Sequence, residues 1–559
     1  ANPRAAAVAA LVRQEQDGFS NLVLDAELKR QQLEGRDKAF ASAIFYTVLE
    51  HQGTLDHILC QFLPKGLAKL DAPVREILRS ALAQARYMQV PASAAVNEAV
   101  KLTRAFRKSS AAGLVNAVLR RACTYDLSTA RFRNETERLM VLGSAGKDVA
   151  DFLRIHYPDE ALGILTYAAD GGRTSLRVNP LKADAATLCE KLAALGAAAE
   201  PGLVPGSVLA AFEGSPAENA WFRQGYYHVE GQASQLAALC VEAKPGETVL
   251  DLCAAPGGKT TLLSTLAGAE GLVVANEVIR QRASVLAANA VKWGIGNIVV
   301  TNNDPAHFAP FEHYFDLIAV DAPCSGEGMF RKDTDSTGEW SVANVELCAG
   351  RGRRIIHDVW NALKPGGLLI YSTCTYNMEE DEENIHYITE ELGAEALSIP
   401  VKDEWQITGP LKYDHPVYRF FPHKTKGEGF FLAALRKADG ETEEIRFKNK
   451  NKKEKGKTVP AVPEAARAYL LDTTSFTPEW SGSTLWMLPE PVRDVYPLLR
   501  EHLLILSAGI CMGEAKGKDF IPAEELALST GLRREAFPTV DLDWEDAIRY
   551  LKKEALLLP

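Results

Sequence analysis

The 559-residue sequence contains no apolar run of the roughly 18 residues needed to cross a bilayer. Its first residues, ANPRAAAVAA, lack the basic, apolar and cleavage regions of a secretory signal, and the initial Ala points to a processed or trimmed chain. The nine cysteines (Cys60, Cys123, Cys189, Cys240, Cys253, Cys324, Cys348, Cys374 and Cys511) are odd in number, scattered, and include no CxxC pair. That pattern argues against a disulfide framework or a structural zinc site. A surplus of positive charge is missing as well, since 62 Lys/Arg against 73 Asp/Glu leave a net charge of −11. Together these absences imply a cytoplasmic chain without a membrane segment. In such a chain each cysteine is by default a small buried hydrophobe.

The length calls for three or four domains, because a single core rarely exceeds about 250–300 residues. An apolar fraction of 47% is ample for large cores. Charge is unevenly spread. Residues 1–125 hold 17 Lys/Arg against 11 Asp/Glu, a surplus of six, while the remainder is acidic. A local basic region mildly favours a nucleic-acid partner, because phosphate contacts are local; random variation in surface charge is the plain alternative.

Residues 1–125 carry apolar side chains at helical spacing in Ala39–Leu49, Val74–Met88 and Ala94–Phe106, with breakers confined to the joints (Gly53, Pro64, Pro73, Pro91, Gly113). This predicts an all-α bundle. Residues 126–230 read as mixed, with helical Asp148–Arg154 and Ala185–Leu195 flanking a strand-like TSLRVNP at 174–180, in which Arg177 and Asn179 are either substrate contacts or structural residues. From 231 to 437 strands and helices alternate. The strands are ETVLDLC (247–253), LVVANE (272–277), NIVVTNND (297–304), FDLIAVDAP (315–323), PGGLLIYSTC (365–374) and FFLAALRK (430–437). The helices are Thr260–Leu266, Arg280–Trp293, Val345–Leu363 and Glu379–Leu392. Continuous apolar strands alternating with helices predict a Rossmann-like, doubly wound and mainly parallel sheet, whose ligands sit at the carboxyl ends of its strands. Residues 438–458 are a Lys-rich linker. Residues 459–559 form a small α+β domain with strands Thr484–Met487 and Gly509–Met512 and a closing helix Trp544–Lys553.

The segment LDLCAAPGGKT (250–260) runs from a strand through a glycine turn into a helix. A P-loop would need glycine at position 253, which is Cys, and the GxGxxG fingerprint is absent. What remains is a turn in which Gly257 and Gly258 permit close approach of a ligand at a helix N-terminus. Glu277, 20 residues after Gly257, suits the two hydroxyls of a ribose, and Asp304 at the third strand end suits an adenine amine. No basic cluster accompanies them. The ligand is therefore a nucleoside without polyphosphate, for which S-adenosylmethionine is a match.

The fourth strand ends in Asp321-Ala-Pro-Cys324 and the fifth in Ser372-Thr-Cys374, so both thiols should face one cavity beside that crevice. Two core cysteines remain the bland reading. The chemistry that would need them is methylation at carbon 5 of cytosine, a poor nucleophile until a thiolate adds to carbon 6. Asp321, its pKa raised by burial, is the candidate proton donor to ring nitrogen 3. A helix starting near Glu379 would favour thiolate at the strand ends. The acidic run Glu379–Glu383 is explained by that helix start and does not call for a metal. Spacing alone leaves open which thiol attacks.

Several stretches resemble known families. VPASAAVNEAVKLTRAF and SSAAGLVNAVLRRA are similar to the NusB-like RNA-binding domain. LDLCAAPGGKTT, DAPCSGEGMFRKD, KPGGLLIYSTCTY and HKTKGEGFFLAALRK resemble the motif series of the two-cysteine RNA cytosine-5 methyltransferases, over essentially all of 170–437. The resemblance implies that Cys374 attacks carbon 6 and that Cys324 helps release product, so that its loss traps the RNA adduct. It also implies cofactor contacts from Cys253, Ala254, Ala255, Pro256, Gly257, Gly258, Lys259, Glu277, Asp304 and Asp321. DNA cytosine-5 enzymes attack with the fourth-strand cysteine instead, so this assignment rests on the family.

The architecture is mixed. A NusB-like front belongs to one branch acting on 16S ribosomal RNA, whereas GMFRKD, HKTKGEG and the last hundred residues resemble another, whose tail holds a PUA-like unit. The implied partner is RNA, 16S ribosomal RNA or a small-subunit precursor, with S-adenosylmethionine as cofactor, no metal and a monomeric chain. A transfer RNA methyltransferase of the same chemistry and a non-catalytic RNA-binding or assembly factor are the alternatives. A P-loop nucleotidase is a distant third.

Overall fold

A computed structural model describes the chain except for residues 1, 18–19, 168–172, 213, 240–242, 330–339, 426–427, 442–460, 552–553 and 557–559. Cys240, most of the GMFRKD stretch and all but the first residues of the Lys-rich linker therefore lie outside the described residues. The chain forms two compact units, residues 1–169 with 325–345 and 421–423, and residues 170–324 with 346–420 and 424–559. Among the described residues no helix is long and apolar enough to cross a membrane.

The first unit begins with the expected helical bundle: Pro3–Asp17, Ser20–Arg30, Gly35–Glu50, Gln52–Cys60, Ala72–Tyr87, Ala92–Ala105 and Ala112–Ala122. The apolar positions that recur at helical spacing, such as Ile44, Phe45, Val48, Ile77, Leu78, Leu82, Val115 and Leu119, meet in one buried core. Each such side chain contributes about 1.5–3 kcal/mol through burial, before the entropy of ordering is set against it. Glu27, Glu76 and Arg79 are buried there too. Arg79 donates to both oxygens of Asp56 at 2.7 Å and to Glu76 at 2.5 Å. Short helices Glu135–Leu142, Lys147–His156 and Ala161–Thr166 complete the unit. These helices, which follow the predicted bundle of residues 1–125, cluster with it.

The second unit holds three sheets. Strands β1 (Thr174–Val178), β2 (Ala198–Pro201), β3 (Ser207–Ala211) and β4 (Tyr227–Val229) form an antiparallel sheet ordered β2-β3-β1-β4. The main sheet contains β5 (Thr248–Asp251), β6 (Leu272–Asn276), β7 (Ile298–Thr301), β8 (Phe315–Asp321) and β9 (Leu363–Thr373) in the parallel order β9-β8-β5-β6-β7. Beyond β9 come β10 (Glu395–Leu397), β11 (Tyr418–Phe420) and β12 (Phe430–Arg436), with β12 antiparallel to all three of its neighbours. The parallel strands read as unbroken Val/Ile/Leu because both faces are covered. Leu250, Val274, Val299 and Ile318 enter one core, and their neighbours Val249, Val273, Val300 and Leu317 enter the other.

The C-terminal residues contain an antiparallel sheet of β13 (Phe476–Ser481), β14 (Thr484–Pro489), β16 (Ile510–Lys516) and β17 (Asp519–Pro522), closed over Leu470, Leu485, Met487 and Met512. Between β14 and β16 the chain leaves that sheet. Helix Glu490–His502 places Val492, Val495 and Leu499 in the core of the main sheet, and β15 (Ile505–Ala508) pairs antiparallel with β7. A boundary at 459 predicts a separate domain, whereas the structure builds part of that segment into the main sheet.

Candidate active site

Strand β5 lies between β6 and β8, so the chain order reverses at its edge and a crevice opens at the carboxyl ends there. Residues Cys253 to Lys259 follow β5, Glu277 follows β6, Asp321 ends β8 and Cys374 follows β9. Asp304 and Cys324 each lie three residues beyond a strand. The order of strands therefore collects residues far apart in sequence.

The glycine turn is held from behind. Gly257 has φ +113°, outside the range of ordinary side chains, and a Cβ there would lie 3.1 Å from Leu286 Cδ1. Helix Gly258–Ala267 starts immediately after it. Arg282 donates to the Ala255 carbonyl at 3.0 Å and Asn289 to that of Pro256 at 2.8 Å. Arg177 is buried and donates to the Gly258 carbonyl (2.5 Å), Thr261 Oγ1 (2.6 Å) and Glu230 (2.6 Å). Asn179 donates to the carbonyls of Gly225 and Trp293. Arg177 and Asn179 are thus structural residues, tying β1 to the turn and to the next helix. Of the two readings open for them in the sequence, the structural one holds.

Two buried carboxylate oxygens at the ends of β5 and β6 lack a hydrogen-bond donor, Asp251 Oδ1 and Glu277 Oε2. Burial pushes the Asp251 carboxyl up to about 6, although Thr260 donates to its other oxygen at 2.6 Å. Glu277 takes the Ile279 N–H on Oε1, with Arg282 3.6 Å from Oε2. A buried acceptor without a donor costs free energy unless a ligand supplies one, which fits a ribose diol. Asp304 is already engaged. It caps the turn at Ala306 and pairs at 3.3 Å with the exposed Arg354. An exposed pair of this kind is weak enough for a ligand amine to displace it.

Lys259 reaches across to Asp321. Its Nζ donates to Oδ2 at 2.6 Å, and Ser372 donates to Oδ1 at 3.0 Å. Burial alone would lower the Lys259 pKa, but the Asp321 carboxylate beside it more than reverses this and holds the ammonium above its ordinary value. Asp321 therefore accepts on both oxygens. A cation, not an apolar wall, is its nearest neighbour.

Beside this pair the two thiols meet, Cys324 Sγ lying 3.0 Å from Cys374 Sγ. The contact with Cys374, followed by burial, raises the Cys324 pKa well above the ordinary thiol value. Either sulfur can donate to the other across this contact. Cys253 behaves as a buried thiol, pushed up by desolvation and then by Asp321.

The family model described as "16S rRNA methyltransferase RsmB/F" matches residues 238–436, and that of the NusB family matches residues 1–123. The small-subunit ribosomal RNA methyltransferase F of Shewanella loihica is 30% identical over 437 residues, covering 73% of this chain and 85% of that protein. The chain belongs to the RsmB/F family. A probable small-subunit ribosomal RNA methyltransferase B of Synechocystis is 28% identical over 443 residues, 76% of this chain and 96% of the relative. This RsmB/F-family chain thus matches relatives named for both letters, in keeping with its mixed termini. The crystal structure of PH0851 shares the fold, with a TM-score of 0.61 and 24% identity over 78% of this chain and 99% of that one.

What surrounds the loop after β9 of this RsmB/F-family chain was not foreseen. The helix expected near Glu379 begins at Glu382, and Glu380, Asp381 and Glu382 are buried. Arg419, itself fully buried, grips both oxygens of Glu382 and donates to the Tyr376 carbonyl at 2.8 Å. Thr373 donates to Asp381 Oδ1 at 2.6 Å. Burial, followed by the opposing effect of Arg419, leaves the Asp381 carboxyl well above its ordinary value. The acidic run therefore holds residues 373–376 in place. A helix start alone does not describe it.

Proposed function

We propose that this chain methylates carbon 5 of a cytosine in RNA, with 16S ribosomal RNA or its small-subunit precursor as substrate and S-adenosylmethionine as methyl donor. The observation that carries the reading is the pair of thiols 3.0 Å apart at adjacent strand tips, next to the Lys259–Asp321 pair. Two inert core cysteines have no need of either.

Bound S-adenosylmethionine supplies an electrophilic methyl group on a positively charged sulfonium. Gly257 and Gly258 leave room for close backbone approach, and Glu277 Oε2 accepts from the ribose hydroxyls. Asp321 has acceptor capacity left after Lys259 and Ser372, enough to take an N–H of the cytosine exocyclic amine. Uracil offers no donor there, so the contact selects cytosine.

The target base leaves its stack to enter the pocket. Cys374 thiolate, stabilised by the Cys324 S–H, adds to carbon 6; the displaced pair makes carbon 5 nucleophilic, and carbon 5 takes the methyl group. Transfer of the carbon 5 proton to a solvent base returns its pair to the ring and breaks the sulfur–carbon 6 bond, which frees Cys374 as thiolate. Cys324, beside the leaving sulfur, serves that release.

The NusB-like helices, with their surplus of six positive charges over residues 1–125, and the C-terminal sheet, read as PUA-like, are the surfaces proposed to hold the RNA. Bisulfite sequencing of cellular RNA with and without the protein tests the reading. One protected cytosine in the small-subunit RNA that disappears with the protein is the expected result; protection lost only in transfer RNA, or nowhere, rejects it.

A further inference from the structure

We propose that His386, Glu390 and His415 form a three-ligand site for a zinc-class transition-metal ion, separate from the thiol pair. His386 and Glu390 stand four apart on helix Glu382–Glu390, so they share one face of it. His415 comes from the segment before β11. One ligand atom from each lies within 4.8 Å of the other two.

The histidine nitrogens are closer still, with His386 Nδ1 3.2 Å from His415 Nε2. Zinc–nitrogen bonds of about 2.0–2.1 Å at a tetrahedral angle separate two nitrogens by about 3.3 Å. The imidazole edges therefore stand at the spacing of two ligands to one ion. The His386 ring is also fixed in place. Tyr413 stacks on His386 with centroids 3.9 Å apart and planes 3° from parallel, whereas Thr389 Oγ1, 3.1 Å from the same His415 Nε2, is a contact that a bound ion would displace. The nearby cation Lys412 is drawn to Glu383 at 2.5 Å. Glu390 is exposed, so a bound ion keeps a solvent position, as in open three-ligand zinc sites. Two imidazoles and a carboxylate suit zinc, and copper or nickel more than magnesium or calcium.

Bound metal would join helix Glu382–Glu390 to the segment leading into β11, the two elements that Arg419 already links through Glu382. The plain rival is a hydrogen bond between two neutral histidines, which has the same spacing and binds nothing.

The test uses the full chain with Cys324→Ser and Cys374→Ser, so that the catalytic thiols take no metal. Equilibrium dialysis against Zn²⁺ followed by elemental analysis should give one zinc per chain. Co²⁺ in its place should show ligand-field bands without a sulfur charge-transfer band. His386→Gln and His415→Gln, each in that background, should weaken binding at least about 100-fold, the upper range seen even for outer-shell changes. No zinc in the double-serine chain, or undiminished binding in both histidine variants, overturns the site. If the histidine variants lose their circular dichroism, Glu390→Gln on its exposed side chain decides alone. A drop of about tenfold supports the site and an unchanged affinity rejects it.

Discussion

Cys324 Sγ and Cys374 Sγ lie 3.0 Å apart, and that contact, followed by burial, raises the Cys324 pKa well above the ordinary thiol value. Cys374→Ala is expected to abolish methyl transfer. Cys324→Ala should slow turnover by about 10²–10⁴-fold, the usual worth of a positioned proton-transfer group, while RNA accumulates on the protein in a complex that survives denaturing electrophoresis. The double variant should form no such complex.

Glu277 Oε2 is buried without a donor, and a hydrogen bond to a charged group contributes about 1.5–3 kcal/mol. Glu277→Gln should therefore weaken cofactor binding by about 10- to 100-fold, read by calorimetry. At saturating cofactor the turnover number should change much less, because the ribose does not react.

Lys259 and Asp321 form a charged pair beside the reacting atoms. Asp321→Asn should lower turnover by about 10²–10⁴-fold. Lys259→Met, which leaves the carboxylate without its cation, should be comparably severe. The double variant should fall well short of the product of the two losses, as for residues acting as a unit. Full additivity would mean that the two act independently.

How far these residues could be read from sequence depended on burial. Strands β5 to β9 stood out because both faces are covered, so that Val249 and Leu250 alike had to be apolar. Strands β2 and β10 are three or four residues long with exposed or half-buried positions, and β11 has only three residues, so none of them left such a trace. Strand β15 was missed because its partner β7 lies some 200 residues earlier in the chain. At the site, Cys324, Cys374, Gly257 and Glu277 could be named because each sits at a strand end. The Lys259–Asp321 pair could not, since only the strand order β8-β5 brings it together. The acids Glu380 to Glu382 read as a helix start because nothing in the sequence announced Arg419, some 37 residues further on.

His228 is buried against Trp293, and burial, followed by the nearby Arg177, pushes its pKa down to about 3. Its folded value lies below the unfolded one near 6.5, so the neutral ring stabilises the fold fully above about pH 6.5. That stability is lost as pH falls from there towards 3, at up to about 1.4 kcal/mol per unit. His228→Gln should flatten the acid limb of the denaturation midpoint plotted against pH. An unchanged acid limb would assign the sensitivity to other groups.

Leu499 belongs to the C-terminal segment yet lies in the core of the main sheet. Leu499→Ala should cost about 2–5 kcal/mol in chemical denaturation, and cofactor binding should fall in the same transition. A variant that lost only the β13–β17 sheet, with cofactor binding intact, would show that the segment is an independent module.

The most direct test of the mechanism is mass spectrometry of the Cys324→Ala chain after incubation with cofactor and small-subunit precursor RNA, followed by nuclease and protease digestion. The account predicts a peptide containing Cys374 that carries the mass of a methylated cytidine. A modified peptide at another residue, or normal methylation by a Cys374→Ser chain with no adduct formed, would contradict it.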